Sequence, residues 1–222
     1  MGTLYLVRHG QASFGAEDYD LLSPLGERQS QRLGAYFKHR GLVFEAALTG
    51  TLKRQQQTLA GICRGLGQPV ETLSWPGLNE YDSQAVIRAI HPQLLEKPTS
   101  PEMVRQHFRL LRDGLAQWMA GAAKPAGMPS YREFADGVAG ALAHVRRQHA
   151  GDVLLVSSGG PIATAVGQVL GTSPETTIEL NLRIHNSSVT EMAFNPKRLS
   201  LLNFNTLPHL DAVTDAAEIS YA

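Results

Sequence analysis

Two apolar runs in this 222-residue chain end in groups able to handle a phosphate. Leu4–Val7 stops at Arg8-His9-Gly10, and Val153–Val156 stops at Ser157-Ser158-Gly159-Gly160. Arginine offers forked donation to phosphate oxygens, glycine lets backbone N–H groups approach closely, and imidazole is a nucleophile usable near neutral pH. Arg54 and Glu80 add a second guanidinium and a carboxyl that can carry a proton. Taken singly, each has a plainer reading. Arg8 can snorkel at a strand end while His9 faces water, Arg54 can be a solvated helix arginine with Lys53 pointing inward instead, and Glu80 or its neighbour Asp82 can be a simple loop carboxylate.

These groups act together only if the fold brings them to one place. A short apolar run closed by glycine reads as a buried strand, so residues 4–7 form the first strand. Ser23 caps a helix with Pro24 at its first position and Leu33, Tyr36 and Phe37 on one face. A strand follows over 44–50. The next helix covers 51–67, with Leu52, Leu59 and Ile62 inward and Gly65 or Gly67 ending it, and a third strand covers 69–75.

From Pro76 to about Pro129 the pattern changes. Segments 84–97 and 101–121 keep helical spacing without intervening strands. Ser130 then caps a long helix carrying Phe134, Val138, Leu142 and Val145, and "DVLLVSSGGP" repeats the strand, small-residue turn and helix of the opening. Two strands are expected in 187–194 and 198–204, and a weakly ordered tail over 211–222. The alternation predicts an α/β three-layer sandwich: a mostly parallel central sheet flanked by helices, one domain over 1–222 with a helical cap insertion at 76–129. Ligands of such sheets bind beyond the carboxyl ends of the strands. If strands one and four are neighbours, the two loops face one another across one crevice, and Arg54 and Glu80 lie at the same end.

Composition narrows the classes. Twenty Lys and Arg balance 20 Asp and Glu, which argues against a general nucleic-acid or membrane-surface binder. A single cysteine, Cys63, permits no internal disulfide and fits core filling in a reducing compartment. The N-terminus has no secretory pattern, no run approaches the roughly 20 apolar residues of a membrane span, and Leu6 stands where a myristoylation motif wants Ser or Thr. A cytoplasmic protein is expected. Oligomeric state leaves no mark in the sequence.

In chain order, "LVRHGQAS", "LSPLGERQSQRLG", "ALTGTLKRQQQT", "LNEYD" and "LLVSSGGPI" resemble the histidine phosphatase superfamily, the phosphoglycerate-mutase-like proteins. The resemblance implies that His9 attacks phosphorus and becomes a transient phosphohistidine, while Arg8 and Arg54 clamp the phosphoryl oxygens. It implies that Glu80 protonates the leaving oxygen and then activates water. Two guanidiniums can stabilise the equatorial charge of phosphoryl transfer, so neither metal nor cofactor is called for, and no cluster with metal-ligand spacing is seen.

The closing motif departs from the family's usual Ser-His-Gly-Gly, because Ser158 stands at the position of the histidine, with the Gly159 N–H beside it. A neutral hydrogen bond is worth about 0.5–1.5 kcal/mol and a charged one about 1.5–3. The loss of about 1–2 kcal/mol predicts an enzyme about five- to thirtyfold slower. The expected activity is hydrolysis of a small-molecule phosphate monoester through phosphohistidine, slowed by Ser158. Two alternatives stand beside it. One is a noncatalytic phospholigand-binding or interaction protein; the other is a phosphoglycerate-type mutase, disfavoured because Gly15 stands where the family's mutases typically carry Asn. His185, a spare histidine before a strand, is a candidate to restore the missing cation. "SSGGP" lacks the Gly-x-Ser-x-Gly elbow of serine hydrolases, and no nucleotide-binding glycine motif is present. Arg88, Arg105, Arg109 and Arg112 read as solvated faces of the cap.

Overall fold

The computed structural model describes residues 1–13, 20–93, 95 and 99–221. Its sheet is built from β1 (Gly2–Arg8), β2 (Phe44–Thr49), β3 (Thr72–Ser74), β4 (Asp152–Ser157), β5 (Val189–Asn195) and β6 (Arg198–Thr206). The strand order is β3-β2-β4-β1-β5-β6. β1, β2, β3 and β4 run parallel, and β5 and β6 complete one side antiparallel, so the α/β sheet is mixed and mostly parallel. β1 and β4 are direct neighbours in a register that sets Arg8 opposite Ser157. That pairing lays the two glycine-rich turns side by side.

Both faces of the sheet are covered, which explains why Leu4–Val7 of β1 is apolar at every position rather than at alternate ones. Leu4 and Leu6 point to one face, with Leu155, Val138, Val145 and Val166; Tyr5 and Val7 point to the other, with Leu33, Phe37, Ile62 and Val156. The second face belongs to α1 (Pro24–His39) and α2 (Lys53–Leu66), the first to α5 (Tyr131–Gln148) and α6 (Gly159–Leu170). Each such side chain contributes about 1.5–3 kcal/mol on burial. Cys63 is partly buried against the α2 side of this core.

Capping sets the helix starts. Ser23 Oγ accepts from Gly26 N–H at 3.1 Å, with Pro24 at the first position of α1. Ser130 and Glu133 form a reciprocal capping box at the start of α5. α2 ends at Gly67, whose φ of 78° is the left-handed turn that glycine adopts without strain.

Between β3 and α5 lie α3 (Ser83–Ile90) and α4 (Pro101–Met119), packed with α7 (Pro174–Asn181) around Trp118, Leu111, Leu115, Val86 and Ile178. α3 closes at Ile90, short of the expected 97, and residues 94 and 96–98 lie outside the described set. α7 was not anticipated: its apolar pattern is weak, and only Thr177 and Ile178 are buried. No helix among the described residues is long and apolar enough to cross a membrane.

The expectation of a weakly ordered tail is corrected over 211–221. Arg32 of α1 binds Asp215 at 2.7 Å and Glu218 at 3.0 Å, Gln29 Nε2 donates to Glu218 O at 2.6 Å, and Asn186 N–H donates to Ser220 O at 2.8 Å. These contacts are polar and distant in sequence, so apolar periodicity gave no sign of them. Ahead of this segment His209 is buried, with Nε2 3.0 Å from Ser187 Oγ, and burial followed by the Arg32 charge lowers its pKa to about 3.

A histidine neutral in the fold but basic when unfolded makes the unfolded chain bind the extra proton. Stability is therefore complete above the unfolded value of about 6.5 and falls as pH drops below it. Thermal melts from about pH 7 to 5 should show a falling midpoint, with a shallower fall in His209→Gln. An unchanged slope in the variant would place the proton uptake elsewhere.

Candidate active site

His9 follows the last residue of β1, and its backbone is fastened from both sides. Its N–H donates to Ser157 O at 2.9 Å, while its carbonyl accepts from Ser187 N–H at 3.2 Å and from Asn186 Nδ2 at 3.3 Å. Ser187 reaches this position with φ of 57°, a conformation uncommon for a residue other than glycine. The next residue must be glycine, because a Cβ at Gly10 would overlap the backbone of Gly26 in α1.

The imidazole is buried, at 4% exposure. Its Nδ1 lies 2.7 Å from Gly10 O. A carbonyl only accepts, so Nδ1 carries the proton and Nε2 carries the lone pair. Arg54 Nε–H points at that lone pair from 3.2 Å. Burial first, then the charges of Arg8 and Arg54, hold the His9 pKa well below its usual value. The ring is neutral and nucleophilic at physiological pH.

Arg54 occupies the second position of α2 and is 9% exposed, whereas Lys53 is exposed, so Arg54 is the inward member of the pair. Arg54 Nη1 pairs with Asp20 Oδ1 at 2.7 Å, and Asp20 Oδ2 accepts from Lys53 N–H at 2.8 Å. Thr58, one turn along, donates to Arg54 O at 2.7 Å and accepts from Gly10 N–H at 3.0 Å, tying the second arginine to the histidine turn. Arg8 Nη1 donates to Ile184 O and, at 2.7 Å, to Tyr221 O. The carboxyl-terminal segment thereby sets the fork of the first arginine.

Glu80 lies just past the turn that follows β3. Both its oxygens are 3.1 Å from Gly160 N–H, and a Cβ at Gly160 would overlap the carboxyl, so only glycine permits this approach. Loss of water around the carboxyl raises the Glu80 pKa; the Gly160 N–H, Arg54 and Arg8 act in the lowering direction but do not overcome it. Asp82, the competing carboxylate, instead caps α3, accepting from Gln84 N–H at 2.8 Å and Ala85 N–H at 3.0 Å. Tyr81 anchors the loop: its hydroxyl accepts from Asn181 Nδ2 at 2.7 Å, and its ring packs with Trp118 and Phe134.

Ser158 and Gly159 sit where β4 passes into α6, and both are buried. Gly159 supplies one of the first N–H groups of α6, which have no carbonyl within the helix. Ser158 Oγ is 2.8 Å from Gln55 Nε2, so the Gln55 amide fills the space beside it. The His185 ring is engaged by other partners. Its Nδ1 is 3.1 Å from Asn205 Oδ1 and its ring stacks on Tyr221 at 4.3 Å, which makes it part of the support for Arg8.

Five residues beyond the sequence candidates thus shape the site: Asp20, Gln55, Thr58, Asn186 and Tyr81. Asp20 is one acid in "AEDYD" and Gln55 one of three consecutive glutamines, so residue type alone singled out neither. Of the cap arginines, Arg88 and Arg112 are exposed and pair with Asp82 and Glu179, and Arg105 and Arg109 are exposed. Gly15 lies outside the described residues. Among the described residues no three His, Cys, Asp or Glu side chains gather as a metal-binding set.

The geometry makes a direct spectroscopic prediction. In nitrogen-15 spectra His9 should show the Nδ1–H form at neutral pH and titrate below the ordinary value of about 6.5, and Arg54→Met should move its titration upward by removing a positive neighbour. A His9 titration near 6.5 in the wild-type protein would contradict this reading of the cleft.

Residues 4–207 match the family model described as the histidine phosphatase superfamily, branch 1. The 2,3-bisphosphoglycerate-dependent phosphoglycerate mutase of Rhizobium etli is 39% identical over 89 residues, which cover 36% of this chain and 42% of that enzyme. The chain therefore spans less than half the length of the curated relatives it matches. YhfR of Bacillus stearothermophilus superposes with a TM-score of 0.70 at 18% identity, over 95% of this chain and 100% of the other. Phosphoserine phosphatase of Entamoeba histolytica, solved with 3-phosphoglyceric acid, gives a TM-score of 0.66 at 18% identity, over 95% and 100%. Identities this low establish a common fold, and the family match extends through every strand of the sheet: the chain belongs to branch 1 of the histidine phosphatase superfamily.

Proposed function

We propose that the protein hydrolyses a small-molecule phosphate monoester by way of a phosphohistidine on His9. One observation carries this reading: a neutral imidazole whose lone-pair nitrogen lies 3.2 Å from an arginine N–H and whose other nitrogen is fixed by a carbonyl. An incoming phosphoryl oxygen takes over the Arg54 Nε–H, which frees the Nε2 lone pair to attack. The Nε2–P bond forms as the bond from phosphorus to the ester oxygen breaks, and Glu80, carrying its proton, delivers it to that oxygen. Water then attacks phosphorus while the Glu80 carboxylate takes its proton. The P–N bond breaks, and its electron pair returns to Nε2.

Arg8, Arg54, the Gly159 N–H and the Ser158 hydroxyl hold the charge on the transferring group. Ser158, in place of the family's usual second histidine, makes this a slower enzyme rather than an inactive one. Water rather than a second phosphate acceptor is the favoured partner because Gly15 stands where the family's mutases carry Asn. The helical segment over 76–129 is the part of this single domain that selects the leaving group. The single cysteine accords with a cytoplasmic setting.

Turnover of a generic aryl phosphate from about pH 5 to 8 tests the reading. His9→Ala should reduce it to background. Glu80→Gln should cost about 10²–10⁴-fold with an alkyl phosphate, whose leaving oxygen needs the proton, and less with the aryl ester. The sign of the pH dependence follows from the raised Glu80 pKa: the rate falls as pH rises through it, and that limb vanishes in Glu80→Gln. The depressed His9 pKa adds no acid limb near pH 6. Absence of His9-dependent turnover on a broad phosphate panel would favour a phospholigand-binding protein.

A further inference from the structure

Ser158 is the N-terminal cap residue of α6, yet its side chain makes no bond to that helix. The serines capping α1, α4, α5 and α7 all accept an N–H from their own helices. Ser158 Oγ has been drawn away by Gln55 Nε2 at 2.8 Å. The same nitrogen donates to Leu78 O at 3.0 Å. A carbonyl only accepts, so the amide has one orientation: both of its hydrogens are engaged, one on Leu78 O and one on Ser158 Oγ.

This has a consequence for the serine proton. Oγ is held as an acceptor from the Gln55 side, so its own hydrogen must point elsewhere. Among the described residues no acceptor receives it, although Ser158 is fully buried. A buried hydroxyl with its hydrogen unused is costly unless something arrives to take it. Ser158 follows Ser157, which pairs in register with Arg8, and it precedes the α6 N–H groups, one of which contacts Glu80. An oxyanion arriving between these elements would take that hydrogen.

We propose that Gln55 is a positioning residue that turns the Ser158 hydroxyl into a donor for a phosphoryl oxygen. Through Leu78 O, which also accepts from Ser157 Oγ at 2.7 Å, the same amide fixes the turn two residues ahead of Glu80. One buried, uncharged side chain thus sets a donor on one side of the phosphoryl group and the proton carrier on the other. The inference rests on the phosphate-handling reading of the site. It needs only that an oxyanion binds there, and it is independent of turnover.

The test is a double-mutant cycle with Ser158→Ala, Gln55→Met and the pair combined. It is read as affinity for inorganic phosphate and for orthovanadate by calorimetry, and as kcat on an aryl phosphate. Each single change should weaken vanadate binding about tenfold. In vanadate affinity the double variant should lose little more than either single one, since Gln55 reaches the oxyanion through Ser158, while the kcat of Gln55→Met should fall further than that of Ser158→Ala because the Glu80 turn also loses an anchor. Losses that multiply to about a hundredfold would overturn the proposal, as would vanadate binding untouched by Ser158→Ala. If Gln55→Met does not fold, as judged by its melting transition, Gln55→Asn is too short to span Leu78 O and Ser158 Oγ and supplies the same comparison. Oxyanion binding that depends on the pair, without His9-dependent turnover, would sustain this inference and overturn the hydrolase reading alone.

Discussion

Two guanidiniums held beside one buried imidazole form an arrangement that opposes a third positive charge. Arg8 and Arg54 both depress the His9 pKa, and burial depresses it further. The ring meets this constraint by remaining neutral, with its proton kept at Nδ1 by the Gly10 carbonyl and its lone pair at Nε2 turned toward Arg54. Much of the surrounding structure maintains that balance. Asp20 offsets the charge of Arg54, the Tyr221 carbonyl steadies Arg8, and Ser187 and Asn186 hold the His9 backbone. The negative oxygens of a phosphoryl group, the proposed ligand, are matched in sign to the charge of the two guanidiniums.

The two titrating groups are pushed in opposite directions by the same enclosure. Burial favours the uncharged form of each, which lowers the histidine and raises the carboxyl. One enclosure thereby favours the unprotonated histidine and shifts the carboxyl toward its protonated form, the pairing that the proposed attack and leaving-group departure call for. The glycine at 160 is what lets Glu80 come this near to the start of α6, and Tyr81, wedged against Trp118 and Asn181, ties the Glu80 turn to α4 and α7.

The framework was largely legible in the sequence, because periodicity reports burial. The unbroken apolar runs at Leu4–Val7 and Val153–Val156 are buried on both faces, and Ser23-Pro24 and Ser130 mark helix starts through local capping chemistry. The same local signals failed at α7, whose apolar face is two residues wide, and over 211–221, where order comes from Arg32 and Gln29 far away in the chain. His9, Arg8, Arg54 and Glu80 stood out because their types and order carry chemistry. Gln55 and Asp20 did not. Their importance lies in where α2 and the preceding turn place them, and a glutamine among three or an aspartate in an acidic loop looks the same whether it faces water or a phosphate.

The central claim is covalent, and a trapping measurement reaches it most directly. The protein should be mixed with a phosphorus-32-labelled phosphate monoester, quenched in base within milliseconds to seconds, and its peptides mapped by mass spectrometry. The account predicts label on the peptide containing His9, stable to base and lost in acid, accumulating further in Glu80→Gln when the donor is an aryl ester, whose departure needs the proton least while attack by water still lacks its base. Label on a serine or carboxylate, or product formed with no labelled protein at any time, would contradict it.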